Sequence, residues 1–517
     1  MITLTGARGA HRQAVFPPEV TNSPSAGGRQ CLSQDLFFFG PLLRPLTRTW
    51  TNIMKRLSLS VIALAAAMPC MAIAQDIALD EIVISANRVA GEKSKTGVSV
   101  AVVSEADLKK RRDLSLAQTL AALPGVSFAQ QGPFGNQGNL RIRGADGRYL
   151  AVFVDGIRVT DPSGTTVSFD FGSMMTADVG RIEVLRGSQS ALWGGSAVGG
   201  VINITTRGAL EDGTHQQASV EGGSFGTSRL AYGFTQKDDK MELSFNLSHL
   251  HTDGFSAFDG GTERDGATVS RMTLSGRYQV NDTLALGGAI IAQETEQDYD
   301  GYVAFALADV LNNSQKRREV GARVFAEIAA GSTDHRLELS AFDVDRTYVQ
   351  PTGTDTFSGQ RLTFGYQGTT TASDALTFVY GLDWNEETAN YTNLPGSTAT
   401  NRTAGAFAQA IWSPSDTLDL SATLRADKNS GFGTFSTGRL AAAWRPSEGT
   451  TLRASVASGF RAPRLMSGSV TIPDLSPLSE TPPSCPKKAS AMNWASNTAM
   501  PQGQAYRRRC SGSKWTI

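Results

Sequence analysis

The sequence predicts a transmembrane antiparallel β-barrel behind a compact N-terminal α+β domain, and three observations carry the prediction. An apolar/polar alternation of period two begins after Gly208 and continues to about Pro463. The connections between its runs alternate between tight turns and longer polar loops, as they do in outer-membrane barrels. No apolar run reaches the roughly 20 residues that a membrane helix needs. Composition is consistent with this class. The 517 residues carry 48 Lys and Arg against 48 Asp and Glu, so no net field draws the chain to nucleic acid. With 40% hydrophobic and 19% charged residues the chain is not disordered as a whole, and four Cys are too few for a disulfide scaffold or a zinc array.

Residues 1–53 show no sustained period and read as a mis-called upstream extension. Met54 opens a different text: Lys55-Arg56, an apolar run from Leu57 to Met68, and Ala72-Ile73-Ala74 before Gln75. A short basic region, an apolar core and an A-x-A site predict a secretory signal over 54–74, and hence a mature start near Gln75. Cleavage there removes Cys31 and Cys70. The other two cysteines, Cys485 and Cys510, lie in the tail, so the body of the exported chain does not depend on disulfides.

From Gln75 to Arg207 the pattern is mixed. Ser115–Leu123 reads as a short helix with Leu116, Leu120 and Leu123 on one face, closed by Pro124-Gly125. Strand-like runs follow at 140–143, 150–154, 181–185 and 201–205, punctuated by turns such as Asp155-Gly156. Beyond Gly208 the apolar faces are regular: Met241, Leu243, Phe245 and Leu247; then Leu376, Phe378, Tyr380, Leu382 and Trp384; then Leu418, Leu420 and Leu424. Twelve strands are predicted between Gly226 and Ser458, with a thirteenth near 216–223. Tight turns are expected at 236–240, 280–283, 330–334, 372–375, 413–416 and 446–450, and long loops at 251–267, 295–317, 346–359, 387–401 and 427–436. A soluble sandwich also alternates, but it rarely keeps long strands with strictly alternating loop lengths. In lipid every backbone N–H and C=O must be paired, which favours a closed sheet.

A series of motifs then stands in order: Asp80-Glu81-Ile82-Val83-Ile84-Ser85-Ala86-Asn87-Arg88, Leu123-Pro124-Gly125-Val126, Arg141-Ile142-Arg143-Gly144, Val154-Asp155-Gly156-Ile157, Arg181 to Gly187, and Trp193-Gly194-Gly195 through Gly199-Gly200 to Ile204. In order and spacing they resemble the TonB-dependent outer-membrane receptors, most nearly the cobalamin-transporting branch. The resemblance implies a TonB box and linker at 75–93, a plug domain at 94–208 and a barrel from 209 to 463. It further implies residence in the outer membrane of a Gram-negative bacterium, embedding in lipid, and energy supplied by TonB with the ExbB–ExbD complex. It implies uptake and no catalysis. Asp80, Glu81, Ile82, Val83, Ile84, Ser85 and Ala86 would bind TonB. Physically this is a β-prone stretch with polar flanks and nothing predicted to bury it, fit to add a strand to a partner's sheet. The glycines at 194, 195, 199 and 200 lack the Lys-Ser/Thr ending of a nucleotide loop.

Arg141, Arg143, Glu183 and Arg186 are expected at the plug–barrel contact, where exchangeable ion pairs suit a domain that must move. Ligand contacts are expected from two plug loops, 130–138 and 160–169, through Gln130, Gln131, Phe134, Asn136, Gln137, Thr160, Ser163 and Thr165. Amides and hydroxyls with few charges suit a large, nearly neutral corrinoid, where an anionic ferric siderophore would call for more Arg and Lys. Asp253, Asp259, Asp265, Asp298 and Asp300 supply hard oxygen ligands for Ca²⁺ in the outer loops, and solvated loop carboxylates are the alternative.

Two rival cargoes remain within the family. Haem would want axial His or Tyr, and the histidines past the signal are His215, His249, His251 and His335; a ferric siderophore is the other. A secreted all-β enzyme is a further alternative, though no catalytic constellation supports it. Barrels of the family close with about 22 strands, more than the twelve or thirteen predicted here. After Glu480 acidic residues cease, basic residues accumulate and alternation ends. Residues 464–517 therefore read as a frameshifted tail, with a non-functional fragment as the corresponding expectation.

Overall fold

A computed structural model describes residues 82–462, apart from 165–166, 210, 304–305, 392–397 and 448–449, together with the backbone of 487–498 and 506–516. The predicted signal, Asp80, Glu81 and Thr165 lie outside the described residues.

The N-terminal domain is built on a five-stranded sheet with strand order Ser99–Val103, Val179–Arg186, Gly200–Thr206, Leu150–Val154, Ile157–Arg158. Only Leu150–Val154 and Gly200–Thr206 run parallel. Two short helices follow its first strand in the chain. Leu116–Ala121 is the predicted one, started by Ser115, whose hydroxyl accepts from the Ala117 amide. Glu105–Arg111 is set by a reciprocal capping box between Ser104 and Asp107, a signature the hydrophobic pattern did not reveal. Leu116, Leu120, Leu140, Ile142, Val152, Ile182 and Ile202 form the buried centre. Asp155 and Gly156, with φ of 47° and 79°, make the tight hairpin that returns the chain from Val154 to Ile157. The Arg323 guanidinium of the surrounding wall lies where a side chain at Gly156 would go.

Around this domain runs a single antiparallel sheet of fifteen strands, each paired with its neighbour in sequence. The twelve strands predicted past Gly226 are all present, as is the thirteenth at Gly213–Gly222. The sheet is inside-out relative to a soluble protein. On Met241–Thr252 the small polar Ser244, Asn246 and Ser248 are buried toward the plug, and the intervening apolar residues point outward. Leu382, Leu424, Leu440 and Trp444 are 50–73% exposed on the outer face, the apolar band of a lipid-facing wall. Among the described residues no helix is long and apolar enough to cross a membrane.

Four differences from the sequence reading have physical causes. The loop expected at 346–359 is a two-residue turn between Thr333–Gln350 and Gly353–Ser373, and that expected at 427–436 shrinks to 430–432. The strands continue past the lipid band, where both faces meet water, so alternation fades while the main-chain ladder persists. The loop expected at 295–317 likewise shortens to the segment between Asp298 and Ser314, with a small hairpin inside it. In the tail, where no alternation is legible, Lys487–Thr498 and Tyr506–Thr516 extend the sheet beyond Thr450–Arg461. An edge strand offers unpaired amides and carbonyls to any extended chain, whatever its side chains.

Candidate functional site

The segment 82–88 is held in place. Ile82 and Val83 pair with Glu92 and Gly91. The amides of Ile84 and Ser85 donate to the Glu183 carboxylate at 3.1 and 2.9 Å, and the Arg181 guanidinium donates to the Ile82 carbonyl. Trp193 Nε1 donates to the Ser85 carbonyl at 3.0 Å. From the wall, Arg439 donates to the Ala86 carbonyl at 3.0 Å, and the Arg88 guanidinium lies between the rings of Trp193 and Phe407. Val83, Ser85 and Ala86 are buried while Ile82 and Ile84 are exposed. The expectation that nothing buries this stretch is therefore corrected: its polar atoms find partners on the plug strand 179–186.

The four charged plug residues named from sequence are differently placed. Glu183 is buried and binds the 84–85 backbone. Arg141 is exposed, with Asp146 4.0 Å away. Arg186 is buried, with Ser99 3.4 Å from its guanidinium. Arg143 takes a left-handed turn at φ 51°, its amide donating to the Gly125 carbonyl. Wall arginines supply much of the charge at the interface. Arg271 pairs with Asp178 at 2.6 Å with both side chains buried, and Arg346 pairs with Asp161 at 2.9 Å. Arg361 pairs with Glu387 at 2.8 Å and also donates to the carbonyls of Arg158 and Thr160. Sequence alternation places these arginines on inward faces, but it does not show that plug carboxylates and carbonyls meet them.

In the two plug loops most of the predicted contact residues support the loop itself. Gln130 donates to the carbonyls of Pro133 and Asn136, and Asn136 donates to the Asp298 carbonyl. Phe134 packs beside Met175, Leu250 and Val269. Thr160 and Ser163 are buried, bonded to Arg361, Arg346 and Tyr391. Gln131 and Gln137 keep exposed amides. A loop enclosed by a wall must satisfy its own backbone first, and short polar side chains do this. Burial pushes Asp155 and Asp170 of the plug above the usual carboxylate range and lowers Arg158 to about 10.

The acidic loops converge differently from the sequence expectation. Asp265 and Asp300 meet Glu263, which sequence reading missed, with one carboxylate oxygen of each within 4.8 Å of the others. Asp265 and Asp300 are positioned by the amides of Ala257, Phe258 and Val310. Asp253 instead pairs with Arg264 at 3.0 Å, and Asp259 and Asp298 are exposed and lie outside the group. Glu263 Oε2 and Asp309 Oδ1 are buried acceptors with no hydrogen-bond partner. Asp309 beside Glu263 pushes that carboxyl above its ordinary range, and burial does the same to Asp265. An all-oxygen set with unsatisfied acceptors fits Ca²⁺.

A cavity of about 670 Å³ lies between the plug and the wall. It reaches from Ile84 and Arg88 at the held segment, past Asp155 and Arg158, to Val167 on the plug loop and Arg461 on the wall.

A filled antiparallel wall with an α+β domain held inside it by polar contacts is the architecture of a plugged β-barrel. The family models agree. A TonB-dependent receptor plug domain matches residues 92–201, and a TonB-dependent receptor-like β-barrel matches 214–483. The chain belongs to the TonB-dependent receptors, a family of receptors and transporters rather than enzymes. It is 26% identical over 402 residues to a vitamin B12 transporter, BtuB, of Vibrio vulnificus; the match covers 74% of this chain and 63% of that protein. Among solved structures it resembles the siderophore receptor PirA of Acinetobacter baumannii, with TM-score 0.65 and 14% identity, covering 82% of this chain and 76% of that one. It also resembles the ferric yersiniabactin receptor FyuA of Yersinia pestis, with TM-score 0.60 and 19% identity over 79% and 71%. At these identities the structural likeness shows the fold alone.

Proposed function

We propose that this chain belongs to a receptor that takes up a corrinoid across the outer membrane, driven by TonB acting on residues 80–86. The observation that carries this reading is the cavity with the held segment at one end and the plug loop at the other. A pull on Ile84 acts on the lining of the path the cargo would follow. The cargo assignment draws on the mouth. Gln131 and Gln137 are exposed on the plug loop 130–138, and Arg346 and Arg361 of the wall are already matched by Asp161 and Glu387. Such a mouth suits a large ligand with little net charge. Histidine ligation of haem gains no support from three of these residues: His249 and His251 lie on the outward face of Met241–Thr252, bonded to Ser270 and Thr268, and His335 faces outward against Tyr366. Glu263, Asp265 and Asp300 would hold calcium and so fix the outer loops beside the mouth.

The test is growth of a host lacking its own cobalamin receptor, expressing this chain, on limiting cyanocobalamin, haem or ferric enterobactin. TonB-dependent growth on cyanocobalamin alone is the expected result. Growth restored only by haem or the siderophore replaces the cargo, and TonB-independent growth overturns the mechanism.

A further inference from the structure

We infer that the tight-turn end of the wall presents an acidic rim that receives a cationic face of the partner acting on residues 80–86, an inference that rests on the uptake reading above. The described tight turns lie at 238–240, 282–283, 331–332, 374–375 and 416–417. Each has an exposed carboxylate within it or, for 331–332, two residues on: Asp239, Asp282, Asp334, Asp374 and Asp416. Among the described residues none of these five side chains forms an ion pair or a hydrogen bond. Carboxylates on the plug and the inner wall behave differently, as Asp178, Asp161, Glu387 and Asp419 show, each matched by an arginine.

Turn formation does not call for this charge. In the first turn Asp238, not Asp239, accepts the amides of Lys240 and Met241. In the second the neutral Asn281 accepts those of Thr283 and Leu284, and Asp282 takes no part. Cations are scarce beside the five. Lys240 is the one cation within these turns, and Lys237, next to the first, is drawn to Glu242 at 3.4 Å. Successive turns are two strands apart, about 10 Å, which is about one Debye length at 0.1 M salt. Neighbouring carboxylates therefore add into one negative band. Such a band repels an anionic lipid surface and draws in and orients a cationic protein face.

The rim borders the held segment. Arg445 donates to the Ser94 carbonyl at 3.2 Å and to the Asp416 carbonyl at 2.7 Å, so one guanidinium joins the two. Arg453, near the start of Thr450–Arg461, donates to the Lys93 carbonyl at 2.9 Å. On the same segment Ile82 and Ile84 are 45% and 51% exposed. Exposed apolar side chains bordered by a wet charged edge match the anatomy of a protein interface. The border then raises the rate at which the partner finds the segment more than it prolongs the complex.

The experiment measures binding of the isolated periplasmic domain of TonB to the full chain in phosphatidylcholine nanodiscs, with heat-modifiable gel migration as the folding control. Between about 25 and about 300 mM NaCl the association rate should fall about tenfold. Replacing Asp239, Asp282, Asp374 and Asp416 together by Asn keeps residues that turns accept. This variant should associate about tenfold more slowly at low salt, lose most of the salt dependence and dissociate at the parent's rate. Asp259→Asn, in a long loop at the other end, is the control. Parent binding that salt does not weaken, or a salt dependence that survives the Asn variant, overturns the rim and leaves action on 80–86 standing. Binding that Val83→Pro and Ile84→Pro leave unchanged but the Asn variant weakens keeps the rim and removes 80–86. A parent that does not bind at about 25 mM NaCl overturns both.

Discussion

The Ser85 amide and hydroxyl both donate to one oxygen of Glu183, at 2.9 and 2.5 Å, across 98 residues of sequence. A segment that recruits a partner by adding a strand must offer its amides. Here a buried carboxylate occupies them. Glu183→Ala should strand the amides of Ile84 and Ser85 and the Ser85 hydroxyl, at about 1–3 kcal/mol for each group left unpaired. The expected outcome is an undocked segment in a folded protein. A spin label at position 84 should become mobile and cleavage within 82–90 faster, and an unchanged spectrum would contradict the assignment.

Proline substitutions separate docking from partner pairing. Val83→Pro removes an amide from the strand and should abolish uptake of labelled cyanocobalamin while surface capture persists. Ile84→Pro removes the amide that binds Glu183 and should also mobilise the segment. Equal uptake by both variants and the parent would remove 80–86 from the TonB contact.

The Arg271–Asp178 pair predicts a stability effect. Both side chains are buried, so Arg271→Met leaves an unmatched carboxylate and should cost about 3–5 kcal/mol. Adding Asp178→Leu should recover most of the loss. Urea titration of gel-shift unfolding measures both, and additive losses would show that the two residues do not act as a pair.

The acidic loop should respond to pH and calcium together. Glu263 and Asp265 have raised folded pKa values. Their contribution to loop stability is therefore full below the unfolded carboxyl range and falls as pH rises through the folded values. In EDTA, hydrogen-exchange protection of 254–266, corrected for intrinsic rate, should decline as pH rises beyond the ordinary carboxyl range. Calcium should restore it at the upper end, and Glu263→Gln should blunt both responses. Protection indifferent to pH and calcium would return these carboxylates to a solvated role.

The wall was legible because lipid demands alternation. Leu376, Phe378, Tyr380, Leu382 and Trp384 mark their outward face in sequence alone. Beyond the lipid band that demand ends, which is why the strands through Tyr348 and Phe357 read as a loop. The site was less legible because its contacts are non-local. Nothing near Ser85 points to Glu183, and Glu263 joins Asp300 only through the fold of two loops. In the plug loops Gln130, Asn136 and Ser163 are engaged by carbonyl and wall partners that no local pattern marks, while Gln131 and Gln137 stay exposed.

Much of the wall's hold on the plug is indifferent to the plug's side chains. Arg323, Arg361, Arg439, Arg445, Arg453 and Arg461 donate to main-chain carbonyls of Asp155, Thr160, Ala86, Ser94, Thr96 and Val167. A carbonyl is present whichever residue carries it. The plug sequence can therefore drift at these positions, or a related plug be grafted into this wall, provided the path of the backbone is kept. The arginines have no such freedom, since lysine lacks the planar fork that reaches two acceptors at once. Mutational tolerance should thus be lopsided across a single interface, wide on the inner partner and narrow on the outer.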